Sequence, residues 1–369
     1  MKSRCCQLTR REFIGLGTAS AATLALKGPL AFAASLEGGE MSHRERIERA
    51  LAFEETDRVP YGFWWHFPNR DRSPRRLAEL ALALQHQLDL DFIKFSPYGL
   101  YSVVDWGVTL DIKGGMQTPV EETYPIQKPE DWRKLRSFRG DEGEYLIVLE
   151  AQRIVLCEMK EDVPLTQTVF SPLTSALKMA GRDTLLKHLR ENPQAVHDGL
   201  EVITETTRRF AINVVSRGAA GLFFASQTTN EGYLTAEEYQ SFAKQYDLAV
   251  LDATRGRSWF NIFHLHGDNI MFDQVLDYPV QAFNYHDREF GPPLAEMKKR
   301  TDKCLIGGID RNKVLVQGTP ADVDAQVKNA WEQVGRRGLI LGPGCVANVH
   351  SKEENVLQLR KSVEETKNL

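Results

Sequence analysis

The chain reads as an α/β protein built as one (β/α)8 TIM barrel, and three observations predict it. Eight apolar runs of four to eight residues recur along it, most of them followed by Gly, Pro, Asn or Asp, as buried parallel strands are. Amphipathic helical patterns separate most of these runs, so strand and helix alternate. The polar and metal-capable residues collect at the C-terminal ends of the runs, where barrel enzymes place their sites. Alternation alone also permits an open doubly wound sheet.

Taken in order, the runs are 59–65, 91–96, 163–170, 220–226, 259–266, 280–285, 304–309 and 338–341. Helical patterns occupy 75–88, 192–217, 235–254 and 319–335. Thr235 followed by Glu238 reads as a capping box, and Pro320 after Thr319 stands at a first helical position. The 107–127 segment reads as a β-hairpin around Lys113-Gly114-Gly115, forming a flap over one end of the barrel, with 128–132 opening a helix. Following the runs come His66, then Ser96 and Tyr98, then Ser171, then Gln227, Asn230 and Glu231. The later ends supply His264 and His266, then Asn284, His286, Asp287 and Arg288, then Asp310 and Arg311, and last Cys345. No internal repeat or low-complexity linker divides residues 41–369, so a single domain is expected.

Ahead of that domain, Thr9-Arg10-Arg11-Glu12-Phe13 leads into an apolar run over 13–26 and then Ala31-Phe32-Ala33. A basic region, a short hydrophobic core and a small-residue cleavage site describe an export signal over residues 1–33. The paired arginines resemble the twin-arginine signal, which implies the Tat export machinery as a partner, a periplasmic location and export of a folded, cofactor-loaded protein. An uncleaved basic amphipathic N-terminus is the alternative. Removing 1–33 leaves 41 basic against 49 acidic residues and a net charge of −8. An acidic body argues against nucleic acid and anionic membrane as partners, and no remaining segment is apolar enough to cross a bilayer. Cys157, Cys304 and Cys345 remain, too few and too scattered for a disulfide framework.

The sharpest chemistry lies at His264-Leu265-His266. Strand side chains alternate, so both imidazoles face one way. With Cys345 they make the nitrogen and sulfur set that zinc takes when one position is left for substrate. Buried core histidines and a small buried thiol are the plain alternative. Glu231, Asp287, Asp310 or water are open as the fourth ligand. His286 and Asp287 read as a proton-transfer pair, Glu231 as a further catalytic carboxylate, and Arg288 and Arg311 as binders of a substrate carboxylate. A solvated loop accounts for 286–288 equally well. Trp64 and Trp65, with Phe63, Phe67, Tyr98 and Tyr101, suit a flat apolar pocket, to which His66 and Asp310 add polar groups. Gly307-Gly308 and Gly342-Pro343-Gly344 read as tight turns.

Several of these motifs together resemble the uroporphyrinogen decarboxylase superfamily, which includes the methylcobamide:coenzyme M methyltransferases. The resemblance rests on Arg46 to Pro60, on Pro172-Leu173-Thr174 with Gly181, on His264-Leu265-His266-Gly267, on Gly307-Gly308-Ile309-Asp310, on Gly342-Pro343-Gly344-Cys345 and on Glu354-Asn355. It implies a (β/α)8 barrel. Three features of the decarboxylases are missing. Their Arg-Gln-Ala-Gly-Arg-Tyr loop is replaced by Trp64 to Arg70, their catalytic Asp falls on Pro97, and their third-strand Tyr has no counterpart before Gly181. The methyltransferase branch carries His-x-Cys and a distant Cys as its zinc ligands. Here these positions hold His264, His266 and Cys345, with His266 in place of the first Cys.

The resemblance thus implies a zinc-dependent methyl or group transferase acting on a small molecule, with a corrinoid as possible co-substrate. A decarboxylase acting on a porphyrinogen or other carboxylated ring is the second expectation. A non-catalytic corrinoid or tetrapyrrole carrier is the third.

Overall fold

The computed structural model describes residues 40–368. The expected export signal at 1–33 lies outside the described residues. The domain opens with α1 (His43–Leu51), α2 (Pro74–Leu88) and β1 (Ile93–Phe95), then a hairpin of β2 (Thr109–Asp111) and β3 (Val120–Thr123). Next come α3 (Gly143–Glu158), β4 (Leu165–Phe170), α4 (Pro172–Ala180), α5 (Arg182–Glu191), α6 (Pro193–Ser216) and β5 (Gly221–Ser226). The second half holds α7 (Ala236–Tyr239), α8 (Gln245–Asp252), β6 (Ile262–Leu265), β7 (Ala282–Tyr285) and α9 (Leu294–Met297). It ends with β8 (Cys304–Ile309), α10 (Pro320–Val334), β9 (Leu339–Pro343) and α11 (Glu353–Glu365).

Seven strands form one curled sheet in the order β1-β4-β5-β6-β7-β8-β9, with every neighbouring pair parallel. All of their residues are buried, which explains why they read as continuous apolar runs rather than alternating ones. In register, Ala225, His264, Asn284, Ile306 and Ile340 form a row across five strands. The chemistry-bearing residues therefore emerge side by side at one end of the sheet.

The first expected strand, 59–65, is a correction. It is extended but irregular, with isolated parallel bridges from Tyr61 to Leu341 and from Trp65 to Ala347. Pro60 has no N–H to give a ladder, and only its carbonyl is used, by Leu341 N at 2.8 Å. Gly62 N donates to Leu341 O at 2.9 Å, and Asp91 N donates to Tyr61 O at 3.0 Å. The segment thus touches both β9 and the residue that leads into β1. The hairpin is present, and residues 112–119, which include Lys113-Gly114-Gly115, join its strands.

The single helix expected over 235–254 is also corrected, because a π-helical turn at Gln240–Lys244 separates α7 from α8. One extra residue in the turn brings Tyr239 and Asp247 onto the same face, as a seven-residue spacing would. There the Tyr239 hydroxyl meets that of Tyr278 at 2.8 Å, and Tyr278 donates to Asp247 Oδ2 at 3.0 Å. Burial pushes the Asp247 carboxyl up to about 8, so it sits in this cluster largely protonated at neutral pH.

Where the 59–65 segment meets β1, Asp91 is fully buried and gathers charge. Its carboxylate accepts from Arg58 at 2.6 and 3.1 Å, from Arg46 at 3.1 Å and from Tyr61 N at 2.9 Å, with His43 Nδ1 at 3.0 Å. Both arginines are almost wholly buried. Removing the carboxylate leaves two buried guanidiniums short of a counter-charge. Asp91→Ala is therefore expected to destabilise the protein by about 3–5 kcal/mol in urea unfolding, far more than removing a partner of the solvent-exposed Arg75–Glu79 pair.

Candidate metal centre

His264 lies on β6 and is 5 % exposed, and His266 follows at the strand's end. Their neighbour β7 delivers His286, and Cys345 follows β9. Cys345 Sγ lies 3.5 Å from His264 Nε2 and 3.5 Å from His266 Nδ1, and His286 Nε2 lies 3.3 Å from His266 Nδ1. One donor atom from each of these four residues lies within 4.8 Å of every other. Gly344 makes the approach possible, since a Cβ there would lie 2.7 Å from Tyr285 O and 3.0 Å from His286 Cα.

The surrounding hydrogen bonds set the imidazoles' tautomers. Asn284 Nδ2 donates to Ile306 O at 2.9 Å and to Pro343 O at 3.1 Å, so its Oδ1 faces His264 Nδ1 at 2.7 Å. An amide oxygen only accepts, so Nδ1 carries the proton and Nε2 presents a lone pair toward Cys345. His286 Nδ1 faces Glu289 Oε2 at 3.2 Å, which leaves its Nε2 turned into the cluster. Metal-binding histidines are held in this way, by a carboxylate or carbonyl oxygen on the far nitrogen. Three imidazole nitrogens and one thiolate are donors that zinc takes at tetrahedral sites.

Charge is strongly perturbed here. Burial opposes ionisation of the Cys345 thiol, but His264, His266 and His286 outweigh it and hold the group well below its ordinary value. Burial also opposes protonation of His286, yet Cys345 and Glu289 raise it to about 9. Glu289, against the cost of burial, is drawn down to about 2 by His286 and Arg311. Arg311 Nε donates to Glu289 Oε1 at 2.6 Å and its NH1 to Val346 O at 3.1 Å.

Beside the cluster lies a cavity of about 240 Å³. Trp64, His66, Arg311, His264, His266 and Cys345 reach it, and so do Lys94, Gln227, Thr168 and Phe223. Burial pushes His66 down to about 3 and Lys94 down to about 7.

Other expected site residues lie elsewhere. Glu231 is exposed in a separate groove of about 770 Å³ with Arg182, Tyr233 and Arg300. Asp287 is pushed up to about 7 by burial, and its Oδ2 accepts from Gly308 N at 3.0 Å rather than from His286. Arg288 turns away to Gly308 O, Asn329 and Gln326. Asp310 accepts from Asn312 N and Lys313 N at 2.9 and 2.8 Å, which closes a turn. Tyr98 lies under Arg72 at 5.8 Å, while its neighbours Pro97 and Gly99 line the cavity. Trp65 packs edge-on against Phe63 and Phe67. The sequence reading missed Glu289 and Lys94. Glu289 stands three residues after His286, a spacing that carries meaning only once both meet at a turn. Lys94 sits inside an apolar run, where a charge is itself an anomaly.

The chain belongs to the uroporphyrinogen decarboxylase (URO-D) family, whose model matches residues 42–366. It is 23% identical over 351 residues to the methylcobamide:CoM methyltransferase MtbA of Methanosarcina acetivorans, covering 89% of this chain and 98% of that protein. It is 22% identical over 344 residues to the methylcobamide:CoM methyltransferase MtaA of Methanosarcina barkeri, covering 87% and 97%. A solved methyltransferase from Methanosarcina mazei superposes with a TM-score of 0.78 at 20% identity, over 88% of this chain and 99% of that one.

In chelator-treated protein, the ultraviolet absorbance of the Cys345 thiolate, isolated by difference against Cys345→Ser, is expected to persist well below the ordinary cysteine range. His264→Ala removes the first attractive partner and is expected to move that midpoint upward.

Proposed function

We propose that this protein transfers a methyl or similar group between small molecules at a zinc ion held by three of the donors His264, His266, His286 and Cys345, with one position left for substrate. The observation that carries the reading is the convergence of these four donors, with Asn284 and Glu289 fixing two of the imidazoles from behind. When bound, zinc supplies Lewis acidity that makes a coordinated nucleophile reactive at neutral pH. The chain's own residues do the rest. Asn284 orients His264, and Glu289 with Arg311 holds His286. The rings of Trp64 and Phe223 exclude water from one wall of the cavity. The relatives' names supply the transferred group and its source: they are methylcobamide:CoM methyltransferases, and a corrinoid is proposed here as co-substrate.

Departures from the decarboxylase pattern favour this over decarboxylation of a macrocycle. The residues at 97 and 64–70 lack the acid and the first arginine that the decarboxylases carry there. The bonds from Pro60, Tyr61 and Gly62 to Leu341 and Asp91 support closure of the seven-stranded sheet into a complete barrel. Export by the twin-arginine route completes the proposal and rests on Arg10 and Arg11.

The purified protein is expected to hold about one zinc per chain by elemental analysis. His266→Ala and Cys345→Ser should each abolish tight retention. Asn284→Ala, which touches no metal, should weaken zinc about 10–100-fold in chelator competition. Below a tenth of an equivalent of metal, with no change on substitution, the zinc reading fails. Release of CO2 from uroporphyrinogen would favour the decarboxylase. In cell fractionation, Arg10→Lys with Arg11→Lys should shift the protein from periplasm to cytoplasm.

A further inference from the structure

We infer that Lys94 is a nucleophilic amine, and that it captures an aldehyde or ketone in the cavity as an imine. This chemistry goes beyond group transfer at zinc and needs no metal.

Lys94 is on β1 and only 6 % exposed, between Ile93 and Phe95. Its side chain reaches the cavity. Its Nζ donates to Ser96 Oγ at 3.0 Å, and the Ser96 hydroxyl donates to the Lys94 carbonyl at 3.3 Å. Nζ also lies 4.7 Å from the centre of the Phe223 ring. Among the described residues lining the cavity none is Asp or Glu, so no carboxylate there holds the side chain as an ammonium. Burial favours the neutral amine and pushes the group down to about 7. A neutral amine has two hydrogens. With one on Ser96 and one over the Phe223 face, the lone pair is what remains for the cavity.

A second lysine shows that burial alone does not make such a site. Lys178 is 5 % exposed and is likewise pushed down to about 7 by burial. Its Nζ donates to Gly99 O at 2.5 Å and lies 3.3 Å from the centre of the Phe170 ring. Gly99 and Phe170 line the cavity, and Lys178 does not. Lys178 is thus capped behind the wall, whereas Lys94 stands in it.

The step balances without an oxidant or a reductant. The Nζ lone pair forms a bond to the carbonyl carbon, the C=O π pair moves to oxygen, and that oxygen takes one amine proton. The resulting carbinolamine loses its oxygen as water, carrying off the second amine proton, and the nitrogen pair closes the C=N bond. His66 lines the same cavity with a buried Nδ1 that has no hydrogen-bond partner, a polar atom free to meet the carbinolamine hydroxyl. Burial, and then the nearby Lys94, keep His66 neutral.

The test is reductive trapping on the unmodified full-length protein. Propanal is added at pH 7 with sodium cyanoborohydride, which reduces imines and spares aldehydes, and propylated lysines are mapped by mass spectrometry. At early times Lys94 is expected to react at least tenfold faster than exposed lysines such as Lys113 and Lys134, which are protonated at this pH. It should also react at least tenfold faster than Lys178. The neutral fraction grows as pH rises through the group's own value. Labelling of Lys94 should therefore level off above about pH 8, while that of exposed lysines keeps rising toward about pH 10. In Lys94→Arg the fast phase should vanish. A Lys94 that reacts no faster than the exposed lysines, or no faster than Lys178, would overturn the inference, as would a fast phase that survives in Lys94→Arg. The first two comparisons need no variant, so an arginine variant that failed to fold would leave them intact. Zinc content is measured on the same samples. Fast labelling in protein without zinc would sink the zinc reading and keep this one, and zinc without fast labelling would do the reverse.

Discussion

The site depends on one side chain that touches no substrate. Asn284 stands in the middle of a row of strand neighbours, and its amide joins four of them: His264 on β6, its own β7, Ile306 on β8 and Pro343 on β9. All three bonds are buried, and each satisfies a group that water cannot reach. Because both amide hydrogens are committed to carbonyls, the oxygen has one direction left. That direction fixes the proton of His264, and with it the nitrogen that faces Cys345. A parallel sheet places neighbouring residues in register by its own hydrogen bonds. Asn284 converts that register into the protonation state of His264.

Two kinds of buried charge sit in the molecule and answer different needs. At Asp91 the charges cancel within the fold, with two arginines closing on one carboxylate where the irregular first segment meets β1. At the sheet's C-terminal end they are arranged in series, Cys345 to His286 to Glu289 to Arg311. Each member raises or lowers the next, so the thiol is drawn toward its ionised form and the imidazole beside it toward its charged form. Beside a cavity that His264, His266, Arg311 and Cys345 line, such shifts mark a candidate functional site.

The sequence made the sheet legible because parallel strands buried on both faces must be apolar throughout, and seven of the eight runs became strands. The eighth was misread in kind rather than place, since Pro60 cannot donate to a ladder and leaves 59–65 held by isolated bridges. His264, His266 and Cys345 were legible from period and spacing. His286 was found but paired with Asp287, which assumed that adjacent residues act together. Adjacent residues at a strand end point opposite ways, and Asp287 turns to Gly308 while His286 turns inward. The roles of Asp310 and Arg288 were invisible for a similar reason: a capping carboxylate and a substrate-binding one look alike until the backbone around them is seen. Lys94 was passed over as noise in an apolar run.

His266 is where the resemblance and the geometry meet. In the methyltransferase branch this position carries a second thiolate. Two thiolates would neutralise a divalent ion, whereas one thiolate with three imidazoles leaves a net positive charge at the cluster. Fewer sulfur donors also make the ion harder, which favours oxygen and nitrogen nucleophiles relative to thiols. Lys94 lines the same cavity, where burial pushes it down to about 7 and none of the described lining residues is Asp or Glu. The whole pocket therefore becomes more attractive to anions as the donor set loses thiolate.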